Sequence, residues 1–153
     1  LAQIELRKGA RGDFSRLHFR DSWHAALRLR EGSKATIKGS LFQDSREWDI
    51  VVIAAELRAQ HCALLGAAGA VKVSGKGRSS KSSGLAKVTQ CLLRPRRVAG
   101  RIGKRGLLLF DRSDVEAPWA VEYLGRRPNL RVNKFPPRGG LRRIKDLDGH
   151  PGG

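Results

Sequence analysis

Residues 94–114 read RPRRVAGRIGKRGLLLFDRSD. Six cations, Arg94, Arg96, Arg97, Arg101, Lys104 and Arg105, crowd into twelve positions, and the unbroken apolar run Leu107 to Phe110 follows. Four apolar residues in a row suit a buried strand. Val88 to Leu93 reads as the strand before it, ending at Arg94. Gly100 and Gly103 mark the connection between the two, and Asp111 and Asp114 mark the turn where the second strand leaves the core. The stretch therefore predicts two consecutive strands joined by a hairpin connection that holds six cations out toward a partner.

The same period of two recurs through the chain. Leu17 and Phe19 alternate with Arg16, His18 and Arg20; Leu27 and Leu29 with Arg28 and Arg30; Ala35 and Ile37 with Lys34, Thr36 and Lys38. Asp49 to Ile53 is a continuous strand-like run, Val71 and Val73 alternate, and Val121 to Leu124 is a last strand. Glu31-Gly32-Ser33 and Gln43-Asp44-Ser45 punctuate these runs. Many short strands with such turns predict a mainly β fold, a small barrel or sandwich. Closure into a barrel would also remove exposed edges.

Helical signal is thin. Glu56 to Leu65 could form a short helix, and Leu141, Ile144 and Leu147 give an apolar stripe at spacing three, as one or two turns of amphipathic helix would. Residues 63–84, rich in Gly, Ala, Ser and Lys, read as a flexible loop inserted in the domain. The expected division is a β-barrel domain over 1–125 and a basic C-terminal segment over 126–153. A weak internal echo pairs Gly39 to Asp44 before Trp48 with Gly106 to Asp111 before Trp119.

Charge is the strongest functional signal. The 153 residues hold 31 Lys and Arg against 14 Asp and Glu, a formal net charge of +17. Such an excess repels itself unless a polyanion neutralises it, and nucleic acid is the leading partner. Of the cations 21 are Arg, the side chain that grips phosphate with two parallel hydrogen bonds. Trp23, Trp48 and Trp119 are scattered, which favours structured RNA read by shape over single strands read by stacking. The candidate RNA-binding residues are Lys34 and Lys38 beside a strand, Lys76, Arg78 and Lys81 in the inserted loop, and the six cations of 94–105. Arg126, Arg127, Arg131, Lys134, Arg142 and Arg143 in the tail complete the set.

Catalytic chemistry finds no support. Gly75-Lys76 is followed by Gly77, so the phosphate-loop pattern fails, and no dinucleotide-binding glycine pattern occurs. His61 and Cys62 are adjacent and would point apart on a strand or helix. Cys62 and Cys91 lack metal-ligand or disulfide-framework spacing and read as small buried thiols. No cofactor, metal site or catalytic residue is expected, and no run of apolar residues is long enough to span a membrane. The chain holds no Met and begins at Leu1, a hint of a removed upstream segment.

Taken in order, several short motifs resemble the fourteenth universal protein of the large ribosomal subunit. They are Ser15-Arg16-Leu17-His18-Phe19-Arg20-Asp21-Ser22, Ala25 to Lys34, Asp49-Ile50-Val51-Val52, Gln90 to Arg94, and Phe110-Asp111-Arg112-Ser113-Asp114. Phe135-Pro136 and Leu141-Arg142 are fainter echoes of the family's ending. Ser22-Trp23-His24, Trp48 and the long 63–84 segment depart from its pattern. The resemblance implies a small five-stranded β-barrel with short C-terminal helices and a structural role in the large ribosomal subunit. The implied partners are large-subunit rRNA, neighbouring large-subunit ribosomal proteins, small-subunit rRNA across an intersubunit bridge, and an anti-association factor. The departures point to a divergent mitochondrial member, ahead of a plastid or cytoplasmic one. The alternative expectation is a nuclear DNA-binding or chromatin protein.

Overall fold

The computed structural model describes residues 2–76, 82–124 and 140–145. The chain winds as a parallel β-solenoid of about five coils. The first coil is β1 (Ala2–Leu6), β2 (Arg11–Ser15) and β3 (His18–Arg20); the second is β4 (Ala25–Leu29), β5 (Lys34–Lys38) and β6 (Leu41–Gln43). The third is β7 (Trp48–Ile53), β8 (Glu56–Gln60) and β9 (Ala63–Leu65); the fourth is β10 (Gly69–Ser74), β11 (Gly84–Thr89) and β12 (Leu92–Arg94). The fifth is β13 (Val98–Ile102), β14 (Gly106–Asp111) and β15 (Asp114–Val115), after which β16 (Trp119–Tyr123) and β17 (Leu141–Arg143) extend one side. Three sheets result. Sheet 1 runs β1-β4-β7-β10-β13-β16-β17, sheet 2 runs β2-β5-β8-β11-β14, and sheet 3 runs β3-β6-β9-β12-β15.

The expected barrel with C-terminal helices is replaced by this solenoid. Each strand pairs in parallel with the strand one coil away, as Lys34 does with Glu56 and Leu85 with Leu107. Hairpins require antiparallel neighbours, whereas here a whole coil supplies the return path that parallel pairing needs. Residues 94–105 are therefore not one hairpin connection, because they contain β13, a complete strand of sheet 1. The predicted helix over Glu56 to Leu65 is two strands, β8 and β9, bent at His61. The start of the predicted C-terminal helix is β17, which pairs with β16. The segment read as a flexible loop carries β9 and β10 within the core, and its residues 77–81 lie outside the described ones.

The bends set the geometry. Between sheets 2 and 3 a residue with positive φ stands in every coil: Arg16, Gly39, His61, Gln90 and Arg112, at φ 49–56°. A left-handed residue other than glycine costs roughly 1–2 kcal/mol. The ladder offsets this, since the N–H groups of the first four still donate to the next coil, His61 to the Thr89 carbonyl at 3.2 Å and Gln90 to that of Asp111 at 2.9 Å. Asp21, Asp44 and Gly66 play the same part between sheets 3 and 1. The chain thus turns at each corner without leaving its hydrogen-bond plane.

Alternation then fills the interior. Leu29, Val52, Val73 and Ile102 stack along sheet 1, Ile37, Ala59, Val88 and Phe110 along sheet 2, and Phe19, Phe42, Leu64, Leu93 and Val115 along sheet 3. Phe19 and Phe42 stack with centroids 4.5 Å apart and planes 13° apart. Gly100 is required opposite β14, because a Cβ there would come within 2.3 Å of Leu108 Cδ2.

Candidate nucleic-acid interface

The outward residues of sheet 2 form a two-dimensional lattice. Alternation that turns Ala35 and Ile37 inward turns Lys34, Thr36 and Lys38 outward. Parallel register then lines up Thr36, Arg58 and Lys87 across three coils, and beside them Lys38, Gln60, Thr89 and Asp111. Successive coils are ~4.8 Å apart, so these groups sit at fixed spacing on a rigid surface. They line a shallow groove of about 390 Å³ that also takes in Arg112. Arg58 is held by Glu56 at 3.0 Å and Arg112 by Asp111 at 3.4 Å. Lys38 and Lys87 have no carboxylate partner among the described residues, so two ammonium groups face solvent between Thr36 and Thr89 hydroxyls. That arrangement can take phosphate oxygens as charge partners and hydroxyls of a sugar as hydrogen-bond partners.

The expected RNA-binding residues are dispersed rather than gathered. Lys34 is exposed at the start of β5 and lies 3.6 Å from Glu56. Lys76 pairs with Glu31 at 3.4 Å, and Arg94, at the end of β12, with Glu116 at 2.5 Å. Arg96 and Arg97 occupy the corner from sheet 3 to sheet 1, and Lys104 and Arg105 the corner from sheet 1 to sheet 2, with β13 between them. Arg142 and Arg143 lie on β17. Arg78, Lys81, Arg126, Arg127, Arg131 and Lys134 lie outside the described residues.

Arg101 is the largest departure. It stands on the outer side of sheet 1, yet only 3% of its side chain is exposed. Its Nε and Nη2 donate to Glu122 Oε2 at 2.9 and 2.6 Å, and its guanidinium lies 5.3 Å from the ring centre of Trp48. Arg142 donates to the other oxygen of Glu122 and lies over Trp119. Trp48 in turn rests on Gly69, where a Cβ would come within 2.4 Å of the indole. Arg101 therefore fixes a layer over sheet 1 and is not presented to a ligand.

The remaining chemistry-bearing groups are structural. Ser40, Cys62, Cys91 and Ser113 each follow the left-handed corner residue of their coil. Cys91 Sγ accepts from the Cys62 N–H at 3.4 Å, and Ser113 Oγ accepts from the Cys91 N–H at 3.1 Å. Each side chain also donates to the carbonyl two residues earlier, as Cys91 does to Thr89 at 3.3 Å. The hydrogen bond from Cys91 pulls the Cys62 thiol down to about 7, while Cys91 itself is pushed up. Both thiols are buried and free. Among the described residues no three His, Cys, Asp or Glu gather as metal ligands.

Arg58, Lys87, Gln60, Thr89 and Arg112 join the candidate set only through the fold, which brings them into the groove. Their signal was a constant offset from the corner, with Lys38, Gln60, Thr89 and Asp111 each directly preceding a left-handed residue. No known family model, curated protein or solved structure matches the chain.

Proposed function

We propose that the chain is a non-catalytic RNA-binding scaffold that holds phosphates against the outer lattice of sheet 2. The observation that carries this reading is Lys38 and Lys87, both without a carboxylate partner among the described residues and on the same face as Arg58, in a chain of net charge +17. Phosphate contacts of this kind position a nucleic acid without reading its sequence. Parallel strands fix the backbone that carries the cations, so binding has to order their side chains alone.

A finer form of the proposal is a constituent of a large ribosomal subunit. The resemblance behind it also implied a five-stranded barrel, which the solenoid replaces, so the proposal is kept at RNA binding. Ultraviolet crosslinking of the chain in cells, followed by sedimentation, tests it. The expected result is an RNA adduct that ribonuclease removes. Migration with a large ribosomal particle would support the finer form. Crosslinking to DNA in chromatin, with none to RNA, would overturn the proposal.

A further inference from the structure

The corner from sheet 3 to sheet 1 carries a feature that phosphate binding does not explain. Trp23 is 61% exposed, the most open of the large apolar side chains among the described residues. A single exposed apolar side chain is ordinary on a folded surface; what sets Trp23 apart is the arginine stacked on it and the further arginines along the same corner. One of its faces is already occupied: the Arg46 guanidinium carbon lies 4.1 Å from the ring centre. Arg46 comes from the next coil, and its backbone N–H donates to the Ser22 carbonyl at 2.8 Å, which holds it beside Trp23.

Arg96, from two coils further on, completes the corner. Its Nε donates to the Gly66 carbonyl at 3.0 Å and its Nη2 to the Arg46 carbonyl at 3.0 Å. The guanidinium thus lies along the corner across the coil that contributes Gly66. Gly66 has φ +83°, and a Cβ there would come within 2.2 Å of Asp44 Oδ1, so the corner stays small at that coil. Arg97 follows, exposed and with no carboxylate partner among the described residues. Along this edge of the solenoid, whose coils are ~4.8 Å apart, the exposed indole is therefore followed by Arg46 one coil on and by Arg96 and Arg97 together two coils beyond that.

Resting on the RNA-binding reading above, we propose that this corner is a stacking platform for an unpaired base, so that the ligand is single-stranded RNA. The base lies on the open face of Trp23, opposite Arg46, and the flanking phosphates face Arg96 and Arg97. A π-face accepts any base, so the site selects strandedness and not sequence. A duplex keeps its bases stacked inside and offers this corner phosphates alone. The arrangement also answers the expectation of recognition by shape: Trp48 and Trp119 are committed to the layer over sheet 1, but Trp23 is not.

Fluorescence anisotropy with three labelled probes tests the proposal: a single-stranded RNA, the same strand annealed to its complement, and the single strand with abasic sites. Trp23→Ala should weaken the single strand about five- to a hundredfold, as loss of one stacked base does. It should leave duplex affinity unchanged, and Trp23→Phe should retain most of the binding. The abasic strand should bind the natural chain as weakly as the intact strand binds Trp23→Ala. Equal loss for single strand and duplex, or no loss for either, would overturn the platform while leaving the RNA-binding reading standing. Failure of all three probes to bind would overturn both. Trp23 is exposed, so its replacement should not move the thermal midpoint; a large drop would show a packing role and count against the proposal.

Discussion

Arg101 donates from Nε and Nη2 to a single oxygen of Glu122, at 2.9 and 2.6 Å, with side chains 3% and 0% exposed. The two stand on adjacent coils, where Arg101 and Glu122 are partners in register. Removing one partner of a buried pair strands the other charge, at a cost of about 3–5 kcal/mol. Glu122→Ala should lower stability by that amount in urea denaturation. The double variant Arg101→Met, Glu122→Leu should recover most of it, since Arg142, which also loses its carboxylate, is a third exposed and can turn its charge to water. Full loss in the double variant would mean that the guanidinium stabilises through Trp48 more than through Glu122.

Asp49 is a buried acid without such compensation. It shares the core-facing corner of sheet 1 with Ala26, Ala70, Ala99 and Ala120, and neither of its oxygens has a hydrogen-bond partner among the described residues. Burial pushes its carboxyl well above the usual range, with Asp44 adding to the rise and Ser45 opposing it. The folded state therefore holds a proton that the unfolded state releases near pH 4. The stabilisation is complete below the unfolded pKa and is lost as pH rises toward the folded one. Asp49→Ala should raise stability at neutral pH by about 1–3 kcal/mol and flatten the slope above pH 4. Thermal melts from pH 4 to 8 check both. Stability of the natural chain that climbs over that range through Asp49 would contradict the assignment.

The serine and cysteine ladder makes a sharper distinction than burial alone. Cys91→Ser should stay within about 1 kcal/mol of the natural chain, because Ser40 and Ser113 show that a hydroxyl fits this corner. Cys91→Val, nearer in polarity to a buried thiol, leaves the Cys62 N–H without its acceptor and should cost about 1–3 kcal/mol. If valine proved the milder change on thermal melting, the ladder would be incidental to the packing.

Much of the solenoid was visible as strands and little of it as a solenoid. The alternation at 17–20, 27–29, 35–37 and 71–73 marks real strands, and Glu31-Gly32-Ser33 and Gln43-Asp44-Ser45 are real corners. Period two says which face a residue takes and nothing about the direction of the neighbouring strand. The coil repeat would have supplied that direction, but the left-handed corners lie 23, 22, 29 and 22 residues apart, so the fourth coil breaks the period. Four of the five are not glycine, which removed the usual punctuation. The internal echo was half informative: Trp48 and Trp119 do share a column of sheet 1, whereas Phe42 lies in sheet 3 and Phe110 in sheet 2.

The site followed the same logic. Clustering in sequence gathered Arg94 to Arg105, but β13 separates their two ends and turns Arg101 into the layer over sheet 1. Charge reversal at Arg101 would therefore test folding and not RNA binding. The lattice of sheet 2 takes its cations from coils 20 or more positions apart, Lys38, Arg58 and Lys87, and only the register brings them together.

The RNA-binding account is tested most directly by the affinity for single-stranded RNA as a function of salt, for the natural chain and for Lys38→Ala, Arg58→Ala, Lys87→Ala together. Each phosphate neutralised contributes about −0.7 to the slope of log K against log salt for a single strand. The account predicts a steep negative slope that becomes shallower by about 2 in the triple variant, with the thermal midpoint unchanged. Binding that ignores salt, or a slope that the three substitutions leave intact, would contradict it.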